Sequence, residues 1–125
     1  MTRAVSRNSE MFAWTGWRVD DMHGHRIGTL AGVYEDADTR AAAWFLIRLS
    51  RYSARYVLAP PAELTAWRGR VWLPYDRVLI ERAPVLHDGP AEIGPDVEQE
   101  LRRHYRLAAA GGPAAVRVSA RRQIA

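Results

Sequence analysis

Apolar and polar positions along this chain alternate in short runs broken by turn residues, which predicts strands for most of its length. Residues 16–20 read as a first strand and Asp21-Met22-His23-Gly24 as a turn. Residues 25–36 follow as a second strand, with apolar side chains at Ile27, Leu30 and Val33 and glycines at 28 and 32. That spacing of three suits neither a flat strand nor a helix, since each glycine would cost a helix about 1 kcal/mol. A strand bulged near Ala31-Gly32, bent as in a small barrel, is the expectation.

Ala37 to Arg40 form the next turn and "AAWFLIRL" the third strand, with Phe45, Ile47 and Leu49 on one face and Trp44, Leu46 and Arg48 on the other. Residues 50–54 turn the chain into a strand over 55–59, which Pro60-Pro61 ends because neither proline can donate to a ladder. "AELTAW", 62–67, is expected as one helical turn, 70–73 as a fifth strand and 78–80 as a short sixth. Gly94-Pro95-Asp96 then starts a helix whose stripe is Val97, Leu101 and Tyr105, with Arg102, Arg103 and Arg106 near its negative end. The implied layout is a lead-in over 1–12, a β-barrel over 13–84, a linker and helix over 85–107, and a flexible basic tail over 108–125. The fold class is mainly β, a small antiparallel barrel with a C-terminal α-helix.

Composition narrows the chemistry. There is no cysteine, which removes disulfides, thiolate metal sites and a cysteine nucleophile and suits a reducing compartment, so a cytoplasmic location is expected. No apolar run is long enough for a signal peptide or a membrane span. Every one of the 18 basic residues is arginine, which excludes Schiff-base and P-loop lysine chemistry. The net charge is +4, yet residues 11–107 carry as many acids as arginines, so the excess lies in the termini. A nucleic-acid-binding domain would carry it on a folded face.

Candidate sites are few. Asp20, Asp21, His23 and His25 place ligand-type residues close together, but adjacent histidines cannot close a tetrahedron alone, and a solvated hairpin turn is expected. "EDAD", 35–38, lacks the full ligand loop of a calcium site and reads as a hairpin tip. His87-Asp88-Gly89 has no nucleophile specified near it, and His104 is expected at the edge of the helix's packed stripe. Glu63, Asp76 and Glu81 show no paired-carboxylate spacing. No catalytic residue, metal or cofactor is expected.

"GWRVDDMHGHRIGTLAGVYED", "RYVLAPPAEL" and "RVWLPYDRVLIERAP", in that order and covering roughly residues 16–84, resemble the PRC-barrel family. The shared features are a Gly and a valine before an Asp-x-x-Gly turn, Ile-Gly and a bulged strand ending in acid, then a strand running into proline and an Ala-Glu-Leu-like turn, and a hydrophobic-Pro-Tyr segment ending in Ala-Pro. The family is similar to the cytoplasmic domain of the photosynthetic reaction centre H subunit and to the C-terminal domain of the ribosome maturation factor, which contacts a small-subunit protein. The resemblance implies a non-catalytic barrel that binds or organises macromolecules. Without a transmembrane helix or the maturation factor's first domain, neither specific role carries over.

Surface is what remains. With Phe45, Ile47 and Leu49 inward, Trp44, Leu46 and Arg48 point out, joined by Arg55 and Val57 and by Arg70 and Trp72. Trp and Arg are the types enriched in interface centres. The expected protein-interaction residues are Trp44, Leu46, Arg48, Arg55, Arg70 and Trp72, unless the helix near Leu101 and Tyr105, or Phe12 and Trp14, covers them. The expectation is a protein-interaction or assembly module forming a homodimer, with the protein partner unnamed. One alternative is an RNA- or ribosome-associated factor acting through Arg117, Arg121 and Arg122; another is a small-molecule or metal binder in which His87, His104 or His23 meets acids.

Overall fold

The short apolar runs fold as strands, and the computed structural model is mainly β; it describes residues 10–49, 54–61, 63–90, 92–107 and 118–121. The strands are β1 (Arg18–Asp20), β2 (Arg26–Asp36), β3 (Ala42–Arg48), β4 (Tyr56–Ala59), β5 (Thr65–Trp67), β6 (Arg70–Trp72), β7 (Glu92–Ile93) and β8 (Val118–Arg121). Two helices, α1 (Arg77–Glu81) and α2 (Pro95–His104), complete the named elements, and residues 10–13 are also helical. Six strands lie in the order β4-β3-β2-β1-β6-β5, with β8 paired to β2 and β7.

The sheet is mixed where an antiparallel one was expected, because β1 pairs with β6 in parallel, Val19 opposite Val71. Among the described residues it does not close by hydrogen bonds into a barrel. It must curl, however: the outermost strands β4 and β5 are joined by residues 60–64 alone, and such a link reaches about 20 Å at most, while six flat strands would set them about 24 Å apart. The second strand is bulged as expected, with a register shift between Leu30 and Gly32 that leaves Ala31 as the extra residue.

Curling buries both faces of β3. Trp44 packs against Tyr105 at the end of α2, with ring centroids 6.3 Å apart, while Phe45, pointing the other way, meets Trp14 edge-on at 6.5 Å. Trp14 in turn stacks on Trp17, and Met11 and Phe12 are buried beside them, so the amino-terminal residues dock on the sheet. Tyr105 donates to the Leu58 carbonyl at 2.7 Å and fixes the helix end over β4.

Two short elements differ from expectation. Residues 65–67 are a strand, not a helical turn, because Thr65-Ala66-Trp67 pairs with β6 through a two-residue turn in which Arg68 and Gly69 both have positive φ, 44° and 82°. Residues 78–80 are helical, not a strand: Asp76 caps α1 by accepting from the Val78 N–H at 2.8 Å, and the helix buries Ile80. The expected tail supplies β8 over 118–121; its other residues lie outside those described.

Gly28 marks the tightest point of the sheet, since a Cβ there would overlap the Arg48 backbone carbonyl. Gly28→Ala is expected to destabilise the fold by about 3 kcal/mol through overpacking, read as a lowered urea midpoint. Gly94→Ala, where a Cβ meets open space, is expected to cost less than about 1 kcal/mol.

Candidate functional site: the outer face of β1, β6 and β5

The paired aspartates and histidines resolve first. Asp20 and Asp21 are both fully buried, Asp20 beneath Arg18 and Arg70 and Asp21 within its own turn. This corrects the expectation of a solvated turn, although His23 and His25 at its tip are exposed. Asp21 Oδ1 accepts from the backbone N–H groups of His23 at 2.9 Å and His25 at 2.7 Å. Its Oδ2 accepts from the Arg77 N–H at 3.1 Å and faces His25 Nδ1 at 3.2 Å. Burial alone would raise the Asp21 pKa; the hydrogen bonds from His25, His23 and Arg77 outweigh it and bring the carboxyl from the ordinary 3.8 down to about 2. The side chain ties the β1–β2 turn to the start of α1 and leaves no oxygen free for a reaction.

The other titratable groups stay apart. The rings of His23 and His25 lie 6.0 Å apart, with His23 Nε2 3.9 Å from Asp76. Among the described residues no three His, Asp or Glu side chains gather as metal ligands do. In the 35–38 segment Asp36 accepts from the N–H groups of Asp38 and Thr39, and Glu35 is buried with Arg40 at 3.6 Å, so both serve the hairpin. His87 and Asp88 are exposed beside the Tyr56–Leu86 bridge. His104 donates from Nε2 to the Leu79 carbonyl at 2.6 Å and packs edge-on to Tyr105, at the border of the stripe as expected. Burial pushes the Tyr105 hydroxyl above its ordinary pKa, with Tyr75 adding to it. A shallow depression of about 430 Å³ lined by Arg82, Pro84, Glu100, Arg103 and His104 brings together no nucleophile and base.

The expected Trp/Arg patch divides. Trp44 and Leu46 are 1% and 0% exposed, because α2 and Tyr105 lie on that side of β3, so they form no surface. Arg48 and Trp72 are half-buried, while Arg55 and Arg70 are exposed. Register places Arg18 beside Arg70, Arg70 beside Trp67, Asp20 beside Trp72 and Trp72 beside Thr65. Cross-strand neighbours share a face, so these six residues form the outer side of β1, β6 and β5, opposite buried Val19 and Val71.

Asp20 organises this face from beneath. Its Oδ1 takes a hydrogen bond from Arg18 Nε at 2.6 Å, and Oδ2 lies 3.8 Å from an Arg70 Nη. That second oxygen is buried and accepts no hydrogen bond among the described residues. At the outer corner Trp67 is 62% exposed, and the Arg68 guanidinium lies over its ring, 5.3 Å from the centroid. Trp67, Arg68 and Arg18 were not among the expected site residues. The available signal was Gly69 between two three-residue β-type runs, the glycine of a two-residue hairpin turn, masked by the arginine at the other turn position. Arg117 and Arg122 lie outside the described residues, and the backbone of Arg121 pairs opposite Val33 in β2.

No family model, curated protein or solved structure matches this chain. No helix among the described residues is long and apolar enough to cross a membrane.

Because folding lowers the Asp21 pKa, the carboxylate's stabilisation is complete above about pH 4 and is lost as pH falls towards 2. Asp21→Asn is expected to cost about 2 kcal/mol at pH 7, the scale of hydrogen bonds to a charged group. The gap between variant and parent should shrink towards pH 2, as followed by urea unfolding at each pH.

Proposed function

We propose that this chain is a non-catalytic interaction and assembly module of PRC-barrel type that works in the cytoplasm and self-associates. The observation that carries the reading is β5. It is the last strand of the sheet order, pairs with β6 alone among the described residues, and ends in the exposed Trp67. An edge strand of this kind offers unpaired backbone groups to a second chain. The curled sheet and its bulged second strand support the PRC-type architecture, and the buried, fully engaged Asp21 supports an organising role for the most polar segment in place of a chemical one.

A face-to-face dimer through the outer surface would set Arg18, Arg68 and Arg70 against their own copies. Pairing β5 to β5 across a two-fold axis avoids that repulsion and leaves the arginine face open. Three residues per edge make a small contact, so dissociation in the range of tens of micromolar is expected, below the standard size of stable interfaces. Light scattering on concentrated protein is expected to show twice the 14.1 kDa chain mass. Ala66→Pro, which removes an edge N–H, should return the mass to that of one chain while keeping a cooperative melt. A parent chain that stays monomeric at about millimolar concentration overturns the self-association.

A further inference from the structure

We infer that the outer face of β1, β6 and β5 is a binding surface for single-stranded nucleic acid, with Arg18, Arg68 and Arg70 meeting phosphates and Trp67 and Trp72 stacking on bases. Within the neutral charge balance of residues 11–107, the outer face of these strands carries three arginines, Arg18, Arg68 and Arg70, projecting from adjacent strands and the turn between them, against one carboxylate, Asp20. Asp20, buried beneath, neutralises one guanidinium and holds Arg18 in place, so the arginines are positioned before any ligand arrives. Neighbouring strands are about 5 Å apart, which lets Arg18 and Arg70 flank one phosphate.

The aromatic residues favour nucleic acid over an acidic polypeptide: charge would serve either ligand, but a base also stacks without regard to sequence on an exposed ring such as Trp67. Arg68 strengthens the case: it occupies the left-handed region, φ 44°, unfavourable for an arginine, and from there its guanidinium lies over the same ring. A ring with cations beside it is the arrangement that holds single strands. The surface is independent of the β5 edge.

The test is fluorescence anisotropy of a labelled oligouridylate of about eight nucleotides titrated with the full chain between about 50 and 200 mM salt. Expected is binding whose logarithmic salt slope is about −1.4, about −0.7 for each net charge of three arginines less one opposing carboxylate. Arg70→Gln should weaken binding about tenfold and reduce the slope by about 0.7. Trp67→Ala should weaken it about tenfold with the slope unchanged. Both side chains are exposed, and an unchanged thermal melt confirms that each variant is folded. Ala66→Pro should bind as the parent does, which separates this proposal from the dimer.

The inference is overturned by no binding at the lower salt, or by affinity indifferent to both substitutions. It is overturned as well if Arg117→Gln with Arg122→Gln abolishes binding while Arg70→Gln does not, or if an oligoglutamate of equal charge competes as well as unlabelled oligouridylate.

Discussion

Two neighbouring carboxylates have to be satisfied in the interior, and much of the architecture follows from how that is done. Removing an ion from water costs several kcal/mol unless donors replace the solvent. Asp21 finds them in the N–H groups of its own turn and of Arg77, more than fifty residues further on. Asp20 finds Arg18 and Arg70, and its carbonyl accepts from the Leu73 N–H at 3.0 Å. One dipeptide therefore joins β1, β2, β6 and the start of α1. The parallel β1–β6 pairing, the least local contact among the six strands, sits where these interactions converge.

Aromatic residues close the structure around that anchor. Trp14 covers the Phe45 side of β3 and Tyr105 the Trp44 side, so this strand is enclosed by the segment before β1 and the end of α2. Enclosure has a cost: Trp44 Nε1 is buried and donates to nothing among the described residues. Trp67 stays open where Trp44 does not because it lies on the outer face of the β5–β6 hairpin, opposite buried Val71.

Several features were legible in the residue pattern because their causes are local. The bulge at Ala31 follows from apolar spacing and glycines, and α2 from Gly94-Pro95 and its stripe. Where the cause was distant, pattern alone misled. Residues 78–80 are apolar enough for a strand, but the Asp76 cap and the Asp21 bond to Arg77 start a helix there. Alternation along β3 correctly separated Trp44 from Phe45, yet it cannot tell that both faces of a curled sheet are covered. Hairpin β5–β6 was hidden because its runs are only three residues long and an arginine takes the turn position that asparagine or glycine normally fills. Charge was the subtlest case, since a sum over the chain says nothing of how many arginines gather on one face of the sheet.

The bend in β2 has a consequence for the chain entropy that folding removes. Before Ala31 the strand's free edge is served by β1, a few residues upstream; after it, the same edge is served by β8, some eighty residues downstream. Closing the second connection restricts a far longer loop than the first. One continuous strand therefore combines two kinds of contact, a near half paired locally and a far half whose pairing carries a much larger loop-closure entropy.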